Sequence, residues 1–259
     1  MFPRQWLFER KLADPREVQL SARFLSARQE FAGNIGYSVG LFQVARNTTT
    51  LQLRVEGNTF LVAKLRTPDF PVQSTDYTIA FPLDLQHHRI SARLKWTHIS
   101  SHLGDDFNKI DDVIHAIDVF ANEHRPFSKP KKFSREFFEL LAAYRFAAVR
   151  VYAGAIVAYH VTSNYTDYVP VKPWTLQLGA EWYLTGQNKL VYPYLAADLK
   201  PKQQFNWNPD LNIQFGLVVG QQTLRKMRVA LEIFTGHSNQ GQFFQRKEHD
   251  LNFLVAFDF

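Results

Sequence analysis

Cysteine is absent from this chain of 259 residues, which excludes a disulfide framework, a thiolate zinc site and a cysteine nucleophile. No apolar run reaches the ~18–20 residues of a spanning helix. That excludes a helical membrane protein but leaves a membrane β-barrel open. The start, Met1-Phe2-Pro3-Arg4-Gln5, lacks the apolar stretch of a secretory signal, so the chain reads as either cytosolic or a mature form. Charge of one sign is not concentrated either. The net charge is +6, yet Lys and Arg are scattered among acids, and the one dense group is Lys129-Pro130-Lys131-Lys132. With no recognition motif beside it, this predicts no nucleic-acid partner. What the chain has in plenty is aromatic: 23 Phe, 10 Tyr and 5 Trp make up 15% of it, which excludes disorder.

The dominant hydrophobic period is two. At the C-terminus Leu251, Phe253, Val255, Phe257 and Phe259 alternate with Asn252, Leu254, Ala256 and Asp258. Such alternation puts the odd side chains on one face of a strand. The same pattern runs through Met227–Ile233, Leu211–Val219, Trp174–Leu184, Val149–His160, Ile90–Trp96 and Tyr77–Leu83. It places Tyr159 on the apolar face and His160 on the polar one. Gly57-Asn58 has the composition of a hairpin turn. Alternation nevertheless continues through it from Leu51 to Leu65, and one strand there gives an even number of strands. Links alternate between short and long, and every long one falls on the same side.

Two architectures fit strands with one apolar and one polar face. A soluble all-β protein turns the apolar face inward. A membrane barrel turns it outward, with short periplasmic turns, longer extracellular loops and a wet, charged lumen. The polar face carries both charge signs and glycines, and Phe259 ends the chain in a pattern resembling the C-terminal assembly signal of outer-membrane barrels. The prediction is therefore an all-β transmembrane antiparallel β-barrel of about twelve strands in the bacterial outer membrane. Residues 1–16 form an N-terminal periplasmic segment or plug, and residues 17–259 the barrel domain. Its partners are then outer-membrane lipid and lipopolysaccharide, together with the barrel assembly machinery, which reads the strand ending in Phe259.

Several stretches carry a family resemblance: Leu12-Ala13-Asp14-Pro15-Arg16-Glu17, Glu56-Gly57-Asn58-Thr59-Phe60, Thr75-Asp76-Tyr77, His98-Ile99-Ser100-Ser101-His102-Leu103-Gly104-Asp105-Asp106-Phe107, Arg150-Val151-Tyr152-Ala153-Gly154, Ala197-Asp198-Leu199-Lys200 and Gly241-Gln242-Phe243-Phe244. In these the chain resembles a bacterial outer-membrane β-barrel family of unknown function, the Ser-Ser-His-Leu-Gly-Asp run being the most specific. The resemblance implies the fold and the outer membrane, and assigns no activity.

Candidate sites fall on both faces. His98 and Ser100 continue the apolar face of Ile90, Ala92, Leu94 and Trp96, where an imidazole could deprotonate a hydroxyl. This is similar to outer-membrane phospholipase A and lipid A deacylase, which place a His-x-Ser pair on the barrel exterior. Phospholipase A continues with Asn-Gly after its serine, whereas Ser101-His102-Leu103-Gly104 follows here. A third group must orient the imidazole. Asp105, Asp106 and Asn108 are at hand and the spacing selects none of them. Asp105 is taken with His98 and Ser100 as the candidate catalytic set, against a bland alternative in which these polar residues anchor a loop. His237 and Ser238 should lie on opposite faces, which argues against a second pair. The carboxylates Asp105, Asp106, Asp111 and Asp112 could hold Ca²⁺, without the EF-hand spacing; no other cofactor or metal site is expected.

On the polar face Arg54, Glu56, Arg93, Lys95, Arg150, Glu181, Asp198, Lys200, Arg228 and Glu232 line the lumen. They either pair across it or form a pore for anionic solutes. Open aqueous channels are typical of ~16–18 strands, so a narrow or plugged pore, or a structural barrel, is expected. A lipid-directed serine hydrolase is the alternative.

Overall fold

The computed structural model describes residues 6–27, 29–65, 70–104, 133–163, 172–184, 190–220 and 226–258. Twelve strands follow in order: β1 (Leu20–Leu25), β2 (Glu30–Arg46), β3 (Thr49–Lys64), β4 (Val72–His87), β5 (Ile90–Leu103), β6 (Phe133–Phe146), β7 (Val149–Ser163), β8 (Trp174–Tyr183), β9 (Val191–Pro201), β10 (Pro209–Val219), β11 (Lys226–His237) and β12 (Lys247–Asp258). Each pairs antiparallel with its sequence neighbours. β1 also pairs with β12, Leu20 opposite Phe257 and Leu25 opposite Asn252, so the sheet closes. Closure satisfies every ladder without an edge. Gly57 lies inside β3, between Tyr37 and Ile79, and makes no turn.

Adjacent residues on β5 settle which face is outside. Arg93 is 1% exposed and Leu94 is 46% exposed. On β11, Arg228 and Leu231, of opposite parity, are 1% and 54% exposed. Phe253, Leu178, Phe215 and Ile233 are likewise exposed. Only contact with hydrocarbon makes an apolar wall of this extent stable.

Three connections have two residues, Asn47-Thr48, His88-Arg89 and Ala147-Ala148, and all lie at one rim. The first residue of each has a positive φ of 54°, 52° and 50°. That handedness matches the twist of a hairpin. Asn tolerates it, while His88 and Ala147 bear a cost of ~1–2 kcal/mol each. The opposite rim carries the longest links, those between β5 and β6 and between β7 and β8. Two other links there contain short 3-10 turns, Gln203–Phe205 and Gly241–Phe243.

Simple alternation fails at several places, two of which move residues read from the sequence. On β7, Phe137 faces Ala158 and Glu136 faces His160, which leaves Tyr159 as the extra residue of a bulge. The bulge shifts the phase, so His160 joins Tyr159 on the exposed side and does not face the lumen. On β11, Gly236 has φ 155°, and a Cβ there would come within 2.7 Å of Asp210 Cα. The backbone turns at this glycine, and His237 and Ser238 are both buried, not divided between faces. His237 donates its amide to Asp210 Oδ1 at 2.8 Å and stacks on the ring of Phe205.

Candidate functional site

The first candidate is the lumen. Of the ten predicted lining residues, Arg54, Glu56, Arg93, Lys95, Arg150, Glu181, Asp198, Arg228 and Glu232 are buried, and Lys200 is half-buried beside Asp14. They pair along the wall. Arg54 bonds Asp84 and Glu56 at 2.8 and 2.7 Å, and Arg93 bonds Asp84 at 2.8 Å. Arg150 meets Glu181 at 3.1 Å, Lys95 meets Glu139 at 3.3 Å, and Arg23 meets Glu232 at 3.1 Å.

What the sequence did not show is the second use of these side chains. Residues 6–19 run inside the barrel without regular structure, so their peptide groups need partners from elsewhere. The wall supplies them. Arg93 donates to the Phe8 carbonyl at 2.8 Å, Arg150 to the Glu9 carbonyl at 2.9 Å, and Arg228 to the Leu12 carbonyl at 3.1 Å. Asn212 donates to the Ala13 carbonyl at 2.7 Å, and Glu181 accepts the Leu12 amide at 2.8 Å. The Phe8 ring lies between the guanidinium groups of Arg93 and Arg150, 4.5 and 4.8 Å from its centroid.

Lys11 stands at the centre. Its ammonium is 2.9 Å from Asp14 and 3.1 Å from Glu139. Burial alone would lower its pKa, but Asp14, Glu139 and Glu17 together hold it well above the ordinary lysine value. Against the upward push of burial, Lys11 and Lys200 hold the Asp14 carboxyl well below the usual range.

The second candidate is on the outer wall. Ile90, Leu94, Trp96, His98, Ser100 and His102 share the outward face of β5. The path from Ile90 to Ser100 climbs ~25 Å along the axis, at ~3.3 Å per residue and ~40° tilt, which is the height of the apolar band of such barrels. Ser100 therefore sits at the lipid interface beside an aromatic belt. In that belt Trp96 donates to the Tyr159 hydroxyl at 2.7 Å, and Tyr159 donates to Glu136 at 2.7 Å.

The hydrogen bonds around Ser100 run to a neighbour other than His98. His98 Nδ1 lies 3.3 Å from Glu136 Oε1, and Ser100 Oγ lies 2.9 Å from His102 Nε2. Both imidazoles are two residues from Ser100 on the same face. Glu136 stands directly opposite His98 on β6 and engages it, which leaves His102 for the serine. In the tautomer protonated at Nδ1, His102 accepts the Ser100 hydroxyl proton at Nε2. The His102 ring packs edge-on against Tyr77, at 5.8 Å. The third member proposed from sequence, Asp105, lies outside the described residues. So do Asp106, Asp111 and Asp112 of the calcium proposal, and the terminal Phe259. Among the described residues no group of three or more His, Asp or Glu could hold a metal ion.

The barrel has relatives of known structure. It superimposes on the outer-membrane phospholipase dimer of Salmonella typhi, determined with bound calcium, at a TM-score of 0.55 and 12% identity over 97% of this chain and 93% of that one. Outer membrane phospholipase A of Escherichia coli gives 0.51 and 12%, over 95% and 90%. The β-domain of the Bordetella autotransporter BrkA gives 0.48 and 10%, over 93% and 95%. At these identities the phospholipases establish the fold alone, that of a bacterial outer-membrane β-barrel. No curated protein matches the chain in sequence. The family is nevertheless plain, because residues 1–259 match throughout, and the chain belongs to the family described as "Protein of unknown function (DUF1207)".

Proposed function

We propose that this protein is an outer-membrane barrel sealed by its own N-terminal residues, a spanning scaffold that does not pass hydrated solutes. One observation carries the reading. Lys11, whose side chain is 1% exposed, sits in mid-lumen, ion-paired both to its own segment at Asp14 and to the wall at Glu139. Pulling that ammonium out breaks a buried network, at ~3–5 kcal/mol for a pair that loses one partner. In this reading residues 1–16 are the plug and 17–259 the barrel. Lipid and lipopolysaccharide surround it, and the assembly machinery engages the strand ending in Phe259. The test is planar-bilayer conductance. The wild-type protein should show no sustained open steps, and Lys11→Ala combined with Asp14→Ala should open intermittently. A steady ohmic current through the wild-type barrel overturns the reading.

A second reading, a lipid-directed acyl hydrolase, is favoured by the Ser100–His102 contact at 2.9 Å on the outward face. Ser100 Oγ would attack an ester carbonyl carbon while His102 Nε2 takes the hydroxyl proton. Collapse of the adduct would expel the alcohol with that proton, and water would then free the acid by the same route. Release of fatty acid from outer-leaflet lipid by the purified barrel tests it. An inert protein sinks it.

A further inference from the structure

Arg46 and Arg89, at the short-turn rim, take no part in the plug or in the Ser100–His102 contact. We propose that this rim binds an anionic glycerophospholipid of the leaflet it meets, with the phosphate at Arg89 and an acyl chain in a groove of the outer wall beside it. Short turns of such barrels face the periplasm, so the leaflet is the inner one. The proposal concerns the outer wall and is separate from the plug.

Charge comes first. None of the links from β2 to β3, β4 to β5, β6 to β7, β8 to β9 or β10 to β11 contains an Asp or a Glu. Arg46 ends β2 and Arg89 closes the turn before β5. Both are exposed, and neither pairs with a carboxylate among the described residues. Glu9 shares a cleft at this rim with His88 and Arg89, but Arg145 holds it at 2.6 Å. The register aligns Arg46, Thr49, His87 and Ile90 across four strands, which puts Arg46 on one row with the foot of β5. A phosphate arriving here meets two cations without a counter-ion among the described residues. Each arginine at a membrane surface favours an anionic lipid by about fivefold. Phosphatidylethanolamine carries an ammonium that offsets this gain.

Shape comes second. Ile90, next to Arg89, lines a groove of about 720 Å³ that crosses β6 to β9 on the lipid-facing wall. Its floor is Ala142, Ala153, Ala180 and Ala197, with Ala142 opposite Ala153 and Ala180 opposite Ala197. The larger Tyr144 and Leu178, 43% and 46% exposed, stand at its sides. No charged side chain lines it. An apolar hollow in this wall takes up hydrocarbon, since leaving it empty forfeits contacts. Arg89 at its end decides which molecule supplies that hydrocarbon. The groove and the arginine together select a chain and a negative head in one molecule.

Native mass spectrometry of the full-length barrel tests the site, with equimolar phosphatidylglycerol and phosphatidylethanolamine of identical chains in the detergent. Single-lipid adducts of phosphatidylglycerol should exceed those of phosphatidylethanolamine at least fivefold. Arg46→Gln combined with Arg89→Gln should bring the two within twofold of each other. Ala180→Phe, which puts a ring in the groove, should lower the phosphatidylglycerol adduct at least fivefold, and Ala153→Leu should lower it less. All four positions are exposed, so the variants keep the fold. Lys247→Gln, at the opposite rim, should change nothing. Glycerol 3-phosphate, a head without chains, should not displace the lipid at equal concentration. Equal adducts in the wild type, a preference that survives loss of both arginines, or a phosphatidylglycerol adduct untouched by Ala180→Phe overturns the proposal. So does loss of the preference in Lys247→Gln, or displacement by glycerol 3-phosphate.

Discussion

Arg93 holds Phe8 in two ways at once: Nη2 donates to its carbonyl oxygen at 2.8 Å, and the guanidinium carbon lies 4.5 Å from the centroid of its ring. The same side chain bonds Asp84 on the neighbouring strand at 2.8 Å. One arginine thus serves wall and plug together, which only a flat group with several fixed donors can do.

Replacing Arg93 with Leu should therefore remove more than one ion pair. The Phe8 carbonyl loses its donor and Asp84 is left with Arg54 alone. The expected loss is ~3–5 kcal/mol, read as a lower midpoint of thermal unfolding in detergent and faster protease cleavage within residues 6–19. Arg93→Lys keeps the charge but not the fork, and should fall between the two. A midpoint unchanged in Arg93→Leu would show that the segment is not held by the wall.

The plug should release in acid. Asp14 has a depressed pKa in the folded state, so its contribution is complete above the unfolded value of ~3.9 and is lost as the pH falls through the lower folded one. Lys11 is raised, so its share is complete below ~10.4 and is lost only as the pH rises beyond that through the folded value. Conductance should stay closed from about pH 4 to pH 10 and begin below about pH 4. Lys200→Met removes a cation that holds Asp14 down and should move that onset to higher pH. An onset that stays put in Lys200→Met would detach the effect from Asp14.

The two faces of β11 should respond differently to charge. Leu231→Arg puts a cation in mid-wall against hydrocarbon and should cost ~2–4 kcal/mol, measured as reversible unfolding in lipid vesicles. Thr235→Arg, nearer the loop rim, should cost ~0–1 kcal/mol. Equal costs at the two sites would contradict a membrane-facing exterior.

If the outer wall performs catalysis, Ser100→Ala should abolish fatty-acid release while the barrel still folds, and His102→Ala should match it. His98→Ala then separates the imidazoles, because it should leave most activity if His102 is the base. Loss of activity in His98→Ala alone would restore the pairing expected from sequence.

The barrel was legible because its signal is repeated in every strand. Alternation from Leu51 to Leu65 carried the reading through Gly57 even though Gly-Asn is turn chemistry, since a turn there would have reversed every later face. The exceptions were not legible. A bulge at Tyr159 leaves no mark in a two-residue period, so His160 was placed on the wrong side. His237 and Ser238 were read as lying on opposite faces, because alternation does not register the positive φ of Gly236 that precedes them. At the outer wall the pattern put Ser100 on the outward face and took His98 as its partner, whereas the hydroxyl meets His102. Glu136, which engages His98, comes from the next strand and leaves no mark in the alternation of β5. Residues 7–14 have no period at all, because their path is set by arginines scattered over β5, β7 and β11.

The join between β1 and β12 is short, for β1 has 6 residues where β3 has 16. It is also the one ladder whose strands are not neighbours in sequence, so closing the ring is the least local step of folding.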